Sequence, residues 1–344
     1  MNKKIVALTA AAAMSAAMLT GCGGSTASTS TTASTPAAGS TSGANAAAYP
    51  TQDINGIVQW GEGGGTDSLM RPLATLAQDQ LGQSIVVQNM AGGTGSIATQ
   101  YVYDQPADGY NLLMGAENPS LYDALDILDL TYDDFECVLL IGDETVGVAV
   151  GKDSPYHSLK EICDAANAGT EITLATTGTG GLPWEVSALL TSITGATFTQ
   201  VQYDSDASAR VAVLGGECDF TICKVQSCLE EYKSGDLQML CMLATEPVEQ
   251  MSDVPLITEE YPEFADYLPW GPFYGVFVKQ GTDPAVVETL SQAFTAAFND
   301  ESYQEVLKNY NINPMGYTGD EAKEYLANWR TNTIDALTKA GAMG

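Results

Sequence analysis

Trp60-Gly61-Glu62-Gly63-Gly64-Gly65-Thr66-Asp67 stands between two segments of different periodicity. Before it, the β-branched run Ile54 to Val58 reads as a strand. After it, Ser68 to Leu81 carries apolar residues at Leu69, Leu73, Leu76, Ala77 and Leu81, the spacing of one helix face, and stops at Gly82. The glycines therefore make a strand-to-helix turn. Such a turn lets a ligand approach bare backbone, and Thr66 or Asp67 can cap a helix whose free N–H groups point at whatever lies ahead. That arrangement suits an anionic or strongly polar group.

The construction then repeats. Ser84 to Gln88 reads as a strand, Asn89-Met90-Ala91-Gly92-Gly93-Thr94-Gly95-Ser96 as a second glycine turn, and Ile97 to Tyr103 as the helix after it. Pro106-Ala107-Asp108-Gly109-Tyr110 turns into the strand Asn111 to Met114, which ends at Gly115, with Asn118 just beyond. In order, the chain presents a Gly-Gly-Gly-Thr-Asp turn, Arg71 four residues after its aspartate, a Val-x-Asn-x-x-Gly-Gly-x-Gly segment from Val87, and a Pro-x-Asp-Gly-Tyr turn before an apolar strand. This order resembles the solute receptors of tripartite tricarboxylate transporters, the TctC or Bug family. The resemblance extends over almost the whole chain after the leader.

A second half-site follows. Glu171 to Ala175 reads as a strand, and Thr176-Thr177-Gly178-Thr179-Gly180-Gly181-Leu182-Pro183-Trp184 as a turn into the helix Glu185 to Leu190. Gly178-x-Gly180 has the opening of a dinucleotide fingerprint, but Pro183 occupies the third glycine position and no ribose-binding acid is well placed downstream. No glycine turn continues into a phosphate-binding Gly-Lys-Ser/Thr. In the resembling family such a Thr-Gly-x-Gly turn supplies ligand contacts from a second lobe, which here implicates Thr177, Gly178, Thr179 and Gly180, with Gly181 and Trp184 adjoining. The plainer alternative is a helix-capping turn. Next, Phe198 to Tyr203 reads as a strand, and Asp204 to Leu214 as a helix running into Gly215-Gly216-Glu217-Cys218-Asp219. The family pattern here is Val-Pro-Tyr-Lys-Gly, a helix, and Gly-Gly-x-x-Asp. Tyr203 and Asp219 match it, whereas Asp204 stands at the lysine position. The chain also departs from the family at Trp60-Gly61-Glu62 and near Trp184.

Strands alternate with helices, which argues for parallel α/β sheets with ligand loops at strand ends. The resemblance implies a type II periplasmic-binding-protein fold: residues 49–149 and 274–344 as one lobe, 150–273 as the other, a ligand cleft between them, and crossing strands near Val148 and Tyr274. The two late helices, Pro284 to Phe298 and Glu321 to Leu337, have stripes that read as core-facing. Ser158 with Glu161 forms a capping box, and His157 before it reads as structural.

At the start, Lys3 and Lys4 precede the apolar segment Ile5 to Met18, which ends in Leu19-Thr20-Gly21-Cys22. That is the order of an export signal and too short to span a bilayer comfortably. The boundary resembles a bacterial lipobox, which implies a signal peptide over residues 1–21 and lipid on Cys22. The alternative is an uncleaved anchor. Residues 22–48 are almost wholly Ser, Thr, Ala and Gly and read as a tether.

The chain carries a formal charge of -30; with Lys3 and Lys4 removed with the leader, 11 basic residues face 43 acidic ones, leaving -32. Such a surface excludes nucleic acid and anionic membrane surface as natural partners. Cys137, Cys163, Cys218, Cys223, Cys228 and Cys241 permit disulfides without fixing a pairing. With no Cys-x-x-Cys and one histidine, neither a metal site nor a cofactor is expected.

The expected function is capture of a small solute, a carboxylate or an amino acid, by an extracytoplasmic, lipid-anchored monomer that delivers it to transporter permease subunits. Candidate contacts are Trp60, Glu62, Gly63, Gly64, Gly65, Thr66, Asp67, Asn118, Thr177, Gly178, Thr179, Gly180, Gly181, Trp184, Tyr203, Asp204 and Asp219. A solute sensor feeding a kinase would share every one of them. A hydrolase would need a nucleophile with its base; only a carboxylate pair among Asp67, Asp204 and Asp206 offers a start. Burying a multiply charged anion among Glu62, Asp67, Asp204 and Asp206 costs several kcal/mol. The expected ligand therefore carries few negative charges: a monocarboxylate, an amino acid whose ammonium meets Asp204, or a carboxylate bridged by a divalent cation. The alternative is that these acids face solvent.

The leader generates the first prediction. Cys22→Ser abolishes incorporation of a labelled fatty acid and releases the protein from the membrane fraction. Retention of the unlabelled variant in that fraction would identify the apolar segment as the anchor.

Overall fold

The computed structural model describes residues 49–203, 205–268 and 270–343; the leader, Cys22, the tether and Asp204 lie outside the described residues. The chain opens as β1 (Ile54–Val58), α1 (Gly65–Leu81), β2 (Ile85–Asn89), α2 (Ser96–Tyr103) and β3 (Asn111–Ala116). After β4 (Phe135–Glu144) come β5 (Val146–Gly151), α3 (Leu159–Asn167), β6 (Thr173–Thr176), α4 (Leu182–Thr194), β7 (Thr199–Gln202), α5 (Asp206–Leu214), β8 (Phe220–Lys224), α6 (Val225–Ser234), β9 (Leu237–Met242) and the short α7 (Ile257–Glu260). It closes with β10 (Phe273–Lys279), α8 (Pro284–Phe298), α9 (Glu301–Asn309), β11 (Ile312–Tyr317) and α10 (Gly319–Lys339).

These strands form two sheets, ordered β11-β4-β10-β3-β1-β2 and β7-β6-β8-β5-β9. Both use one pattern. A central strand, β1 or β6, lies between two parallel neighbours, and an antiparallel strand from elsewhere in the chain, β10 or β5, is inserted beyond them. The inner parallel strands β1, β3, β6 and β8 are short and largely buried because helices cover both faces of each sheet, while the edge strands β2 and β7 are more exposed and β7 is mostly polar. In the first sheet Ile54, Val58 and Met114 pack with Leu69 and Leu73 of α1 and Leu290 and Phe294 of α8. In the second, Val148, Leu174 and Ile222 pack with Val186 and Leu189 of α4. Each such side chain contributes roughly 1.5–3 kcal/mol on burial.

Local signals explain the helix ends. α1 stops at Gly82, whose φ of 66° suits the left-handed position that glycine takes without a Cβ clash. The capping box predicted at Ser158 forms with a shifted return contact. The Ser158 hydroxyl accepts from Glu161 N–H, while the Glu161 carboxylate accepts from His157 N–H, one residue before the cap. All six described cysteines are buried free thiols.

The chain changes sheets at Thr145, between β4 and β5, and returns through Gly271 and Pro272 into β10. Val146 to Ala149, grouped by sequence with the first lobe, hydrogen-bond in the second sheet with β8 and β9. The passages lie side by side: Glu144 N–H donates to Pro272 C=O at 2.9 Å, and Phe273 pairs with Asp143. α10 braces them, with Tyr325 donating to Asp143 at 3.3 Å and the Trp329 indole to Gly271 C=O at 3.3 Å. Its first half packs on the first sheet through Ala322, and its last turns reach the other core, with Ala336 against it and Leu337 against Ala188 of α4.

A Cβ at Gly271 would overlap the Glu144 carbonyl oxygen, whereas one at Gly61 meets nothing within 4 Å. Gly271→Ala is therefore expected to lose about 1–3 kcal/mol through overpacking of a backbone that cannot yield, and Gly61→Ala to stay near the parent. Thermal melts of both variants check this, and equal melting temperatures would remove Gly271 from the account of the crossing.

Candidate functional site

The candidate site lies where the carboxyl ends of the parallel strands in both sheets meet, the position open α/β sheets reserve for ligands. Just past β1, buried Gln59 accepts from Ala116 N–H at the end of β3 and donates to Thr99 of α2, tying three elements together. The first glycine turn is fixed by a small polar triad. Asp67 accepts from Gly63 N–H at 2.9 Å, Arg71 Nε at 3.1 Å and Asn89 Nδ2 at 2.9 Å. Asn89 in turn holds the Trp60 carbonyl at 2.8 Å, and Arg71 reaches the Asn89 amide oxygen at 2.5 Å. Burial opposes ionisation of Asp67, but donors from Arg71, Gly63 and Asn89 outweigh it and hold the carboxyl below its usual range. Asp67 and Arg71 therefore build the turn from within, and the Asp67 carboxylate is already occupied.

With Asp67 turned inward, no side chain caps α1 at Gly64. Its first N–H groups and macrodipole remain for another acceptor. A methyl at Gly65 would lie 3.8 Å from both Lys224 Nζ and Tyr274 Oη. Lys224, at the end of β8, thus meets this turn from the other sheet. Across from it, Gly178 (φ 104°) and Gly180 (φ 75°) shape the second turn, and α4 starts at Gly181, again without a side-chain cap. α3, α5, α8 and α9 are each capped by a serine or aspartate, whereas α2, α6 and α10, like α1 and α4, have no side-chain cap. The cleft is closed: Asn118 Nδ2 donates to Gly180 C=O at 3.0 Å, Thr94 Oγ1 to Thr179 C=O at 3.4 Å, and Leu125 and Ile127 face Gly180.

Other candidates sort by position. Gly65 stands beside Lys224 and Tyr274, Asn118 meets Gly180 and Thr94 meets Thr179. Gly64 and Thr66 belong to the first turn and Thr177, Gly178 and Gly181 to the second, with Glu62 and Gly63 exposed. Trp60 contributes its carbonyl to the triad. Trp184 packs with Leu121, Ala188 and Trp329 around the α4–α10 contact. Tyr203 lies under α5 with its hydroxyl 3.4 Å from Cys218 Sγ. Asp219 is at the opposite end of the second sheet, where it accepts from Thr173 N–H and Oγ1 at 2.7 Å each and joins the starts of β6 and β8. Asp204 lies outside the described residues.

Five titratable groups here were not read as site residues from the sequence: Glu117, Glu144, Glu185, Lys224 and Tyr274, the last named only as the place of a crossing strand. Glu117, Glu144 and Lys224 sit at or just past the end of an apolar strand and Glu185 in the first turn after a glycine bend, where an isolated charge is the available signal, while Tyr274 lies near the start of β10 and carries no charge. Tyr274 donates to Glu144 at 2.5 Å, and Lys224 Nζ lies 3.5 Å from Asp206. Burial raises Glu117 to about 7, with Lys224 opposing and Asp206 adding to the rise. Burial likewise raises Glu144 to about 7 against Lys224 and the Tyr274 hydrogen bond. Burial and the neighbouring Glu117 push Glu185 well above the carboxylate range. Burial works against the charge on Lys224, but facing groups outweigh it and keep the ammonium; because burial keeps Tyr274 protonated, the carboxylates of Asp206, Glu144 and Glu117 carry that effect.

Raised carboxyls make the folded state bind protons that the unfolded chain, at the ordinary 4.5, has released. Their contribution is complete below the unfolded value and is lost as pH climbs through the folded one. The ligand-free chain is thus expected to melt at a higher temperature at pH 5 than at pH 8, each carboxyl adding at most about 3 kcal/mol. Glu185→Gln should shrink that difference. Scanning fluorimetry across the range tests it, and a melting temperature that rises from pH 5 to 8 would contradict the burial of these groups.

The family model described as "Tripartite tricarboxylate transporter family receptor", TctC, matches residues 69–339. Protein BugT of Bordetella pertussis is 29% identical over 87% of this chain and 92% of its own. The structure of the periplasmic binding protein BugD superposes with a TM-score of 0.77 at 24% identity, covering 86% of this chain and 99% of BugD. An R. palustris protein, Rpa4515, solved with adipate, gives 0.74 at 23% identity over 85% and 98% of the two chains. The fold is that of a periplasmic binding protein with two α/β lobes, and the chain belongs to the tripartite tricarboxylate transporter receptor family.

Proposed function

We propose that this receptor captures a small carboxylate-bearing solute between its two lobes outside the cytoplasm and hands it to the permease subunits of a tripartite tricarboxylate-type transporter. Family membership supports the receptor role. The observation that carries the ligand class is the meeting of Lys224 with the uncapped first turn of α1, opposite the equally uncapped start of α4. A carboxylate placed there is met by an ammonium, backbone N–H groups and two positive helix ends. The adipate held by the R. palustris relative is of the same class.

Capture needs no bond to be made or broken. The first lobe offers the backbone from Gly63 to Thr66, the second offers Thr177 to Gly180 and Lys224, and neither alone encloses a solute. Ligand binding therefore favours the closed arrangement by what it gains from both. Lipid on Cys22 would hold the loaded receptor near its permease and raise its effective concentration there. The exposed acidic surface leaves the cleft as the region where a cation and free N–H groups face an incoming anion.

Mass spectrometry of solute released from the purified full chain identifies a carboxylate on this reading. Removing a charge-assisted hydrogen bond costs about 1.5–3 kcal/mol, so Lys224→Met is expected to weaken that solute by tenfold or more in calorimetry. Scattering should give a smaller radius of gyration with solute than without. A released solute with no acidic group, or unchanged affinity in Lys224→Met, would refute the ligand assignment.

A further inference from the structure

The closed cleft holds a set of acceptors that a plain carboxylate does not satisfy. Glu117 and Asn118 follow β3 in the first lobe, and Glu185 lies in the first turn of α4 in the second. Glu117 is 4% exposed, Asn118 2% and Glu185 1%. Glu117 Oε2, Asn118 Oδ1 and Glu185 Oε1 have no hydrogen-bond partner among the described residues. They share one neighbourhood: Asn118 donates to the other Glu117 oxygen at 3.1 Å and bridges the lobes to Gly180, and Glu117 acts electrostatically on Glu185.

We propose that the solute carries a protonated amine besides its carboxylate, and that Glu117, Asn118 and Glu185 receive the ammonium; this rests on the carboxylate reading of the same cleft. An orphaned buried acceptor forfeits its desolvation energy, and a carboxylate forfeits most. An ammonium has three N–H donors and one positive charge, which suits three acceptors among more carboxylates than one lysine balances. Lys224 acts on Glu117 electrostatically but hydrogen-bonds none of the three orphaned atoms, its ammonium lying 3.5 Å from Asp206 and beside Tyr274 and the α1 turn. A water molecule can donate but brings no charge. A divalent ion needs more ligands, and no group of three or more His, Cys, Asp or Glu able to hold a metal occurs among the described residues. The acceptors come from both lobes, so the amine is gripped only when the cleft shuts. The implied substrate class is the zwitterionic amino acids.

Calorimetry of the full chain with matched pairs tests the proposal: glutamate and glutarate, aspartate and succinate, 4-aminobutyrate and butyrate, phenylalanine and 3-phenylpropionate. At least one amino member is expected to bind tenfold or more tightly than its partner. Glu185→Gln or Glu117→Gln should erase most of that advantage by weakening the amino member alone. Tighter or equal binding of the amine-free acid in every pair overturns the proposal and leaves the carboxylate reading standing. Absence of binding by any member overturns both. Because the comparison within each pair uses the unaltered protein, a glutamine variant that fails to fold does not remove the test.

Discussion

Two strands passing side by side at Thr145 and Pro272 are the constraint on which the rest depends. Their contact is made by backbone, with Glu144 N–H on Pro272 C=O, and leaves no room for a side chain at Gly271. The same short region supplies Glu144 and Tyr274, whose hydrogen bond faces Lys224 and the first glycine turn. Hinge and cleft floor are therefore one piece of structure. A rotation of the lobes about the crossing changes the surroundings of those groups directly, without a relay through intervening residues.

Around that crossing the chain builds one device twice. In each sheet a central parallel strand ends in a glycine turn, the turn opens a helix without a side-chain cap, and the inserted antiparallel strand belongs to the other passage of the chain. Four other helices, α3, α5, α8 and α9, satisfy a first-turn N–H with Ser158, Ser205, Asp283 or Asp300. α2, α6 and α10 also start without a side-chain cap, so a missing cap alone does not mark a site; what sets α1 apart is that Lys224 of the other sheet stands beside its first turn.

How much of this was legible in sequence depended on whether a signal repeats. The glycine turns, the strand and helix periods around them and the Ser158 cap each involve several residues at fixed spacing; they led to alternating α/β structure and to the two turns, and the family resemblance carried by those turns implied the two-lobed fold. Single charges carry no period. Asp67 read as an acid of the pocket, but three donors around it make it a brace for the turn. Asp219 read as a contact because the family keeps it, yet it stitches the starts of β6 and β8. Lys224 and Glu185 were passed over because a lysine ending an apolar strand, or a glutamate in a first helical turn, is ordinary until topology brings it opposite a partner from the other sheet.

The last helix adds something a two-strand hinge lacks. α10 touches the first core at Ala322, both crossing passages at Tyr325 and Trp329, the loop after β3 through the Arg330 pair with Asp123, and the second core at Ala336. It is a splint laid across the joint. On the proposed closure of the lobes, opening would have to slide its final turns against α4, and the work of parting Leu337 from Leu121 and Ala188 would then add to the barrier to solute escape. Residues of the last helix, far from the candidate site, would thereby help set how long a solute stays bound.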